Sequence, residues 1–226
     1  MRATQATRVA PVTRSRAEAR ASYDRIAPFY DLVEAPFTRA HRRRAIELLA
    51  IERDERVLDV GCGTGAALPL LAEAAGARGL VVGFDLSEGM LEVARRRLAD
   101  ADPSGRCRLV VGDAVAPPFA DASVDVVLLS FTLELFSLDD ARAVLGEVRR
   151  MLCGGGRMVV VALATSPRAT PVQRVYLRVR RHAERWLDCR PIPVRRLVAA
   201  AGFHVARSER ASLWGLPTET VVATRH

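Results

Sequence analysis

Val57-Leu58-Asp59-Val60-Gly61-Cys62-Gly63-Thr64-Gly65 decides the fold class of this 226-residue chain. An apolar run, broken only by Asp59, ends in three glycines at alternate positions, and a helical pattern follows at about 66–76. A continuous apolar run is the pattern of a strand covered on both faces. Glycines set directly between strand and helix let the backbone approach a ligand closely. In open α/β sheets ligands bind at this place, in the crevice outside the carboxyl ends of the strands.

Working outward, the alternation of strand and helix persists. A second strand runs over Leu80-Val81-Val82-Gly83-Phe84, and Ser87 can cap a helix to about Ala99 with Met90, Leu91, Ala94 and Leu98 on one face. Cys107–Val111 and Val124–Leu129 read as further buried strands. Asp139–Leu152 is helical, and Gly154-Gly155-Gly156 is expected to stop it before a fifth strand, Arg157–Leu163. Residues 170–187 read as helix, Cys189–Pro193 as a connection and Val194–Ala201 as another helix. Two closing strands, Phe203–Arg207 and Glu219–Thr224, are joined by a short loop holding Gly215 and Pro217, which makes them antiparallel neighbours. Upstream, Ala17–Ile26 and Ala35–Ala50 are expected as two helices separated by an extended Ala27-Pro28 and a turn near Asp31. The expected architecture is a doubly wound, mostly parallel, Rossmann-like α/β sheet with an antiparallel C-terminal strand.

Three acids stand at three successive strand ends. Asp59 lies two residues before the first glycine, Asp85 closes the second strand, and Asp113 follows the third. Gly61, Gly63 and Ala66 also satisfy the dinucleotide fingerprint, with Asp85 as the ribose-binding acid. A pyrophosphate beside Asp59 would meet like charge, whereas a cationic ligand would gain. A ligand with a sulfonium, an ammonium and an adenosyl group suits the set: Asp59 for the cation, Asp85 for the ribose hydroxyls, Asp113 for the adenine amino group.

The motifs resemble those of the class I S-adenosylmethionine-dependent methyltransferases. VLDVGCGTG at 57–65, GFDLSEGM at 83–90 and GDA at 112–114 are similar to the first three family motifs. PFADASVDVVLLS at 118–130 resembles the fourth-strand segment, with Val124 where an aromatic is usual, and RMLCGGGRMVVV at 150–161 the helix-to-strand motif, with Cys153-Gly154 in place of the common Lys-Pro. YDRIAPFYD at 23–31 and Ala201-Gly202-Phe203 are similar to a narrower group, the ubiquinone/menaquinone-biosynthesis and bacterial phosphatidylethanolamine N-methyltransferases. The resemblance implies a seven-stranded sheet, S-adenosyl-L-methionine as cofactor, and a small-molecule or lipid acceptor. The cofactor-binding residues it implies are Asp59, Gly61, Cys62, Gly63, Gly65, Asp85, Leu86, Met90, Asp113, Ala114 and Ser130, with Tyr23 in a lid segment. Met90, Tyr23 and Tyr30 serve equally as core. Glu134, after the fourth strand, stands where an acceptor-side base would, or as a solvated helix acid; no catalytic residue is assigned.

Composition bounds the alternatives. Half the residues are hydrophobic and 27% charged, which excludes disorder, and four scattered cysteines form no zinc or disulfide pattern. No run approaches the roughly 20 apolar residues of a membrane span, and residues 1–21 lack a secretion signal's apolar core, so a soluble, cytoplasmic protein is expected. All 34 basic residues are arginine, with no lysine or asparagine, as a GC-rich genome would produce. The basic charge is concentrated in residues 1–17, read as a flexible basic tail, and in residues 168–196, around a slightly acidic body; a basic helical insertion at 168–193 is expected within a single domain, 18–226, whose first helices (18–50) form a lid. No nucleic-acid partner is inferred from it. Arg174, Arg178, Arg181 and Arg185 share one helix face, and Val172, Val175, Val179, Ala183 and Trp186 another. Such a helix can rest on anionic lipid or wall the acceptor site, or be a solvated face inflated by codon bias. RNA methylation, nicotinamide-dependent oxidoreduction and non-catalytic ligand binding stay open as alternatives.

Overall fold

The residues around Asp59 form β1 (Arg56–Val60), and their side chains divide between two cores. Leu58 and Val60 join one buried cluster, Val57 the other, as the alternation of a strand dictates. The computed structural model describes residues 14–102, 105–166, 170–182 and 189–225. The strands β2 (Leu80–Asp85), β3 (Cys107–Val111), β4 (Val124–Ser130), β5 (Leu152–Leu163), β6 (His204–Leu213) and β7 (Leu216–Thr224) complete a seven-stranded sheet ordered β3-β2-β1-β4-β5-β7-β6. β1 to β5 are parallel neighbours, and β7 pairs antiparallel with both β5 and β6. Of the helices, α4 (Leu138–Met151) and α6 (Val194–Ala200) cover the Leu58 face, while α2 (Leu68–Ala75) and α3 (Glu88–Ala101) cover the Val57 face with the end of α1 (Arg16–Leu49). From β1 the chain winds out to β3 and returns to β4 on the other side of β1. The switch point therefore lies between β1 and β4, where a doubly wound sheet opens its crevice.

The doubly wound sheet is as expected, and Ser87 caps α3, whose buried face is Met90, Leu91, Ala94 and Leu98. Four local expectations are corrected. The two N-terminal helices are one helix of 34 residues that runs through Pro28 and Pro36. A proline inside a helix costs roughly 3 kcal/mol. Here the Ser15–Glu18 capping box starts the helix, and Asp24 and Asp31 pin its middle to the body, so tertiary anchors override the local signal. At the other end Arg157 of β5 donates to the carbonyls of Leu49 and Ala50, capping the last turn.

The glycines at 154–156 lie inside β5 instead of preceding it. The register jumps from Val124↔Leu152 to Val126↔Arg157, and Gly155 takes φ +78° in the bulge. The last two strands are longer than expected and turn through Trp214-Gly215, both at positive φ, as two-residue hairpins require. Pro217 pairs with Ser212 within the ladder. α1 begins at Arg16, inside the stretch read as tail, and residues 1–13 lie outside the described residues. α5 (Pro171–His182) occupies the insertion; Ala183, Arg185 and Trp186 lie outside the described residues, as do the side chains of Arg181 and His182.

Candidate active site

Both Gly61 and Cys62 donate their N–H groups to the Phe84 carbonyl (2.7 and 3.1 Å), folding the glycine loop over the end of β2. Gly61 has φ +70°, and a Cβ there would stand 2.3 Å from the Thr132 methyl, so the loop and the segment after β4 touch backbone to side chain. Gly63, at φ +54°, has nothing within 4 Å of such a Cβ: its open face looks into a cavity at the switch point. Gly65 does not line that cavity. It backs onto α3, where a Cβ would lie 2.8 Å from that of Ala94, so its place is in packing the loop.

Asp59, Asp85 and Asp113 all line the cavity. Asp59 is 2% exposed. Burial pushes its carboxyl up to about 7, the positive field of Arg42 opposes this, and neighbouring Asp85 adds to the rise. Such an acid gains most from a cation brought by a ligand. Asp85 is also raised by burial, but its oxygens accept the N–H groups of Gly63 (2.8 Å) and Ser87 (2.9 Å), which fix its orientation. Each oxygen keeps a lone pair for a further donor. Asp113 accepts from Val115 N–H (3.0 Å) and from Arg16 (2.7 Å), and Arg16 also reaches Asp140 (2.7 Å).

The other expected residues converge on the same space. Cys62, Leu86, Met90, Ala114, Ser130 and Tyr23 line it. Burial pushes the Cys62 thiol well above its ordinary range, and the charges of Asp59 and Asp85 raise it further, so it is no nucleophile. Met90 is both core and lining, at 2% exposure. The Ser130 hydroxyl, at the end of β4, is buried with no hydrogen-bond partner among the described residues. Glu134 is neither solvated nor at the cavity. It is wholly buried in a 3-10 turn (Leu133–Leu135), accepts from Leu163 N–H at 3.2 Å, and burial raises its carboxyl to about 8.

α1 supplies what the glycine motif alone did not reveal. Tyr23 and Tyr30 line the cavity with rings 6.2 Å apart, edge to face. One turn position later, Asp24 accepts from the Ser87 hydroxyl (2.6 Å) and Gly89 N–H (2.9 Å), and Asp31 accepts from the Thr64 hydroxyl (2.6 Å) and pairs with Arg97. Both pairs repeat at seven residues, two helical turns, and that spacing was the readable signal.

Phe131, Phe136 and Arg180 also line the cavity. Among the described side chains of α5 the buried ones are Gln173 and Arg180, seven apart, while Val172, Val175 and Val179 are exposed, as are Arg174 and Arg178. The valines thus face outward, and the helix turns a polar face inward.

A glycine loop at the switch point of a Rossmann-like sheet, with acids on three adjacent strand ends, defines the class: a methyltransferase of the S-adenosylmethionine-dependent kind. Residues 57–156 match the family model described as a methyltransferase domain. A demethylmenaquinone methyltransferase of Thermus thermophilus is 34% identical over 208 residues, which cover 81% of this chain and 91% of that protein. One from Renibacterium salmoninarum is 37% identical over 164 residues, covering 70% of this chain and 64% of its relative's length. The chain belongs to the class I S-adenosylmethionine-dependent methyltransferases, in the branch of the menaquinone-biosynthesis type. Its fold is shared by a chain in the solved complex between the Haloferax volcanii Trm112 methyltransferase activator and its methyltransferase, with a TM-score of 0.75, 22% identity, and coverage of 92% and 97%.

Proposed function

We propose that this protein transfers a methyl group from S-adenosylmethionine to a quinone-like, hydroxyaromatic small molecule. The observation that carries the reading is Asp59: a carboxylate buried in the cavity wall beside open-faced Gly63, which a cationic ligand would complete. The similarity to demethylmenaquinone methyltransferases supports the acceptor class.

The bound cofactor supplies an electrophilic methyl on a sulfonium. The residues supply position, and alignment of two reactants alone is worth several kcal/mol, roughly 7–11 at best. Gly61 and Gly63 let the ligand lie against the loop backbone. Asp59 faces its cationic end, Asp85 offers oriented oxygens to the ribose hydroxyls, and Leu86, Met90 and Ala114 flank the adenine beside Asp113. Tyr23 and Tyr30 close over it from the lid. Residues 18–226 act as one domain, with 168–193 as the acceptor-side wall.

A lipid-soluble acceptor has to be collected from a bilayer. Exposed Val172, Val175 and Val179, with Trp214 76% exposed at the hairpin tip and Arg174 and Arg178 alongside, form a surface suited to anionic lipid. Val172 lies against Gly215, so the helix and the hairpin tip are contiguous. No helix among the described residues is long and apolar enough to cross a membrane.

Calorimetry with S-adenosylmethionine and with NAD tests the cofactor; saturable binding of the first alone is expected, and binding of NAD alone would overturn the reading. Incubation of extract with isotopically labelled cofactor, followed by mass analysis, tests the acceptor; labelled RNA in place of a small molecule would overturn that part. Co-sedimentation with vesicles containing anionic phospholipid, stronger at low than at high salt, tests the membrane contact.

A further inference from the structure

The cavity that the three acids line also carries a buried positive charge that nothing described neutralises. Arg180, on the inner face of α5, is 4% exposed and lines the cavity. No hydrogen bond or ion pair joins it to any described residue, and its Nε is buried without a partner. A second guanidinium lies close behind. Arg190 is 2% exposed and donates to the carbonyl of Phe136, itself a lining residue. Burial lowers its affinity for a proton, and the charge of Arg180 lowers it further, so the two cations sense each other.

An arginine cannot shed its proton in a protein, so burial of one that has no partner among the described residues is a standing cost that an anion would relieve. Two sources of anion are conceivable: the carboxylate of the cofactor and an oxygen of the acceptor. Arg42 is the cavity-lining cation whose field acts on Asp59, which places it on the cofactor side. The charge of Arg180 acts instead on Arg190, which donates to the Phe136 carbonyl, so Arg180 belongs to the Phe136 end of the cavity. Its partner belongs to the acceptor.

We propose that the acceptor is bound as an oxyanion, with its negative oxygen on the guanidinium of Arg180. This rests on the methyltransferase reading above and deepens it. For a hydroxyaromatic acceptor, Arg180 makes the ring hydroxyl more acidic by stabilising its anion, and the proton leaves to water at the open cavity. The charge delocalised into the ring makes a ring carbon nucleophilic. That carbon forms a C–C bond to the methyl, the S–C bond breaks with its electron pair on sulfur, and the ring C–H proton departs to water to restore aromaticity. No side-chain base is needed for either proton. Among the lining acids, Asp59 and Asp85 stand at the glycine loop and Asp113 and Asp140 are held by Arg16, while Glu134 is away from the cavity.

The test compares Arg180→Gln and Arg180→Met with wild type, using protein saturated with S-adenosylhomocysteine so that no turnover occurs. Three probes are titrated by calorimetry: 1,4-naphthalenediol kept reduced, 1-hydroxy-2-naphthoate, and 1,4-dimethoxynaphthalene, which has no ionisable group. Wild type is expected to bind at least one of the two acidic probes ten times or more tightly than the ether. Either variant should erase that difference while leaving affinity for the ether and for S-adenosylhomocysteine within twofold. In turnover with the diol, the acidic limb of the kcat/KM profile should move up by about one pH unit if the anion is a phenolate. Discrimination of the naphthoate alone, with an unmoved limb, would assign the anion to a carboxylate. Unchanged affinity for both acidic probes in folded variants would overturn the proposal. So would a loss confined to S-adenosylhomocysteine, which would give Arg180 to the cofactor's carboxylate. Failure of wild type to bind S-adenosylhomocysteine at all would instead sink the cofactor reading. A thermal melt of each variant confirms folding, which loss of a buried unpaired charge does not threaten.

Discussion

The two halves of the cavity are built on opposite principles. The half under the glycine loop is acidic and held by backbone: Gly61, Cys62, Gly63 and Ser87 spend their N–H groups fixing the Phe84 carbonyl and the Asp85 carboxylate. The half under α5 is basic and held by side chains, with Arg180 unpartnered among the described residues. Main-chain positioning tolerates almost no substitution, whereas a side-chain wall can be exchanged residue by residue. The first half suits an invariant ligand and the second a variable one.

The largest effect expected on this contrast comes from Gly61→Ala. Its new methyl would stand 2.3 Å from Thr132 at a left-handed φ, so overpacking and strain together should cost roughly 3 kcal/mol. For a chain this size that is a drop in Tm of about 10 °C, accompanied by loss of measurable cofactor binding. Gly63→Ala sharpens the comparison: with no atom within 4 Å it should lose less stability, only the strain of its left-handed φ, yet bind cofactor far more weakly, because its methyl enters the ligand's space. Thermal melts and calorimetry on the pair separate the two roles.

Asp59→Asn comes next. A charged hydrogen bond is worth about 1.5–3 kcal/mol, so affinity for S-adenosylmethionine should fall roughly ten- to a hundredfold. The pH dependence is more diagnostic. With the folded carboxyl at about 7, below that pH the acid is mostly neutral, so wild-type affinity should rise as pH increases towards 7. The asparagine variant should show a flat profile over the same window; a retained slope would mean that another group titrates.

Much of the acidic half was legible in the sequence because it rests on strand ends. Asp59, Asp85 and Asp113 each follow a continuous apolar run, and the glycines mark the turn, so no tertiary knowledge was needed to bring them together. The basic half was hidden. Arg180 sits among five other arginines between positions 174 and 190, in a chain whose codon usage multiplies them, and it does not share the arginine face at 174 and 178. Only the pairing with Gln173, two turns earlier, distinguishes the inward face. α1 was misread for a related reason: Pro28 and Pro36 are strong local breakers, and the anchors that outweigh them, Ser87 and Thr64, lie some sixty and thirty residues away in sequence.

Glu134→Gln probes the wall behind the acceptor half. The carboxyl titrates near 8 in the folded protein against 4.5 for its ordinary value, so the folded state binds the extra proton between those limits. The stability it contributes is therefore complete below 4.5 and is lost as pH rises to 8. Wild type should lose a few kcal/mol across that window through this group, and the glutamine variant should lose less; equal slopes in denaturant titrations at pH 6 and 9 would contradict the burial argument. The smallest effect is reserved for the outer surface. Val175→Asp with Trp214→Ser should weaken vesicle co-sedimentation while shifting stability by no more than about 0.5 kcal/mol.

The long helix α1 has a consequence for the order in which the chain assembles. Its first turn is tied to Asp113 and Asp140, its middle to Thr64 and Ser87, its later turns to Glu209 through Arg44, and its end to Arg157. These partners lie as far as 165 residues further along the chain, so α1 leaves the ribosome before them and finds its complete seat only after the sixth strand has been made. Closing such long loops is what slows folding. The cavity, roofed by that helix, is then the last part of the molecule to take shape, and ligand capture can report the final step of folding.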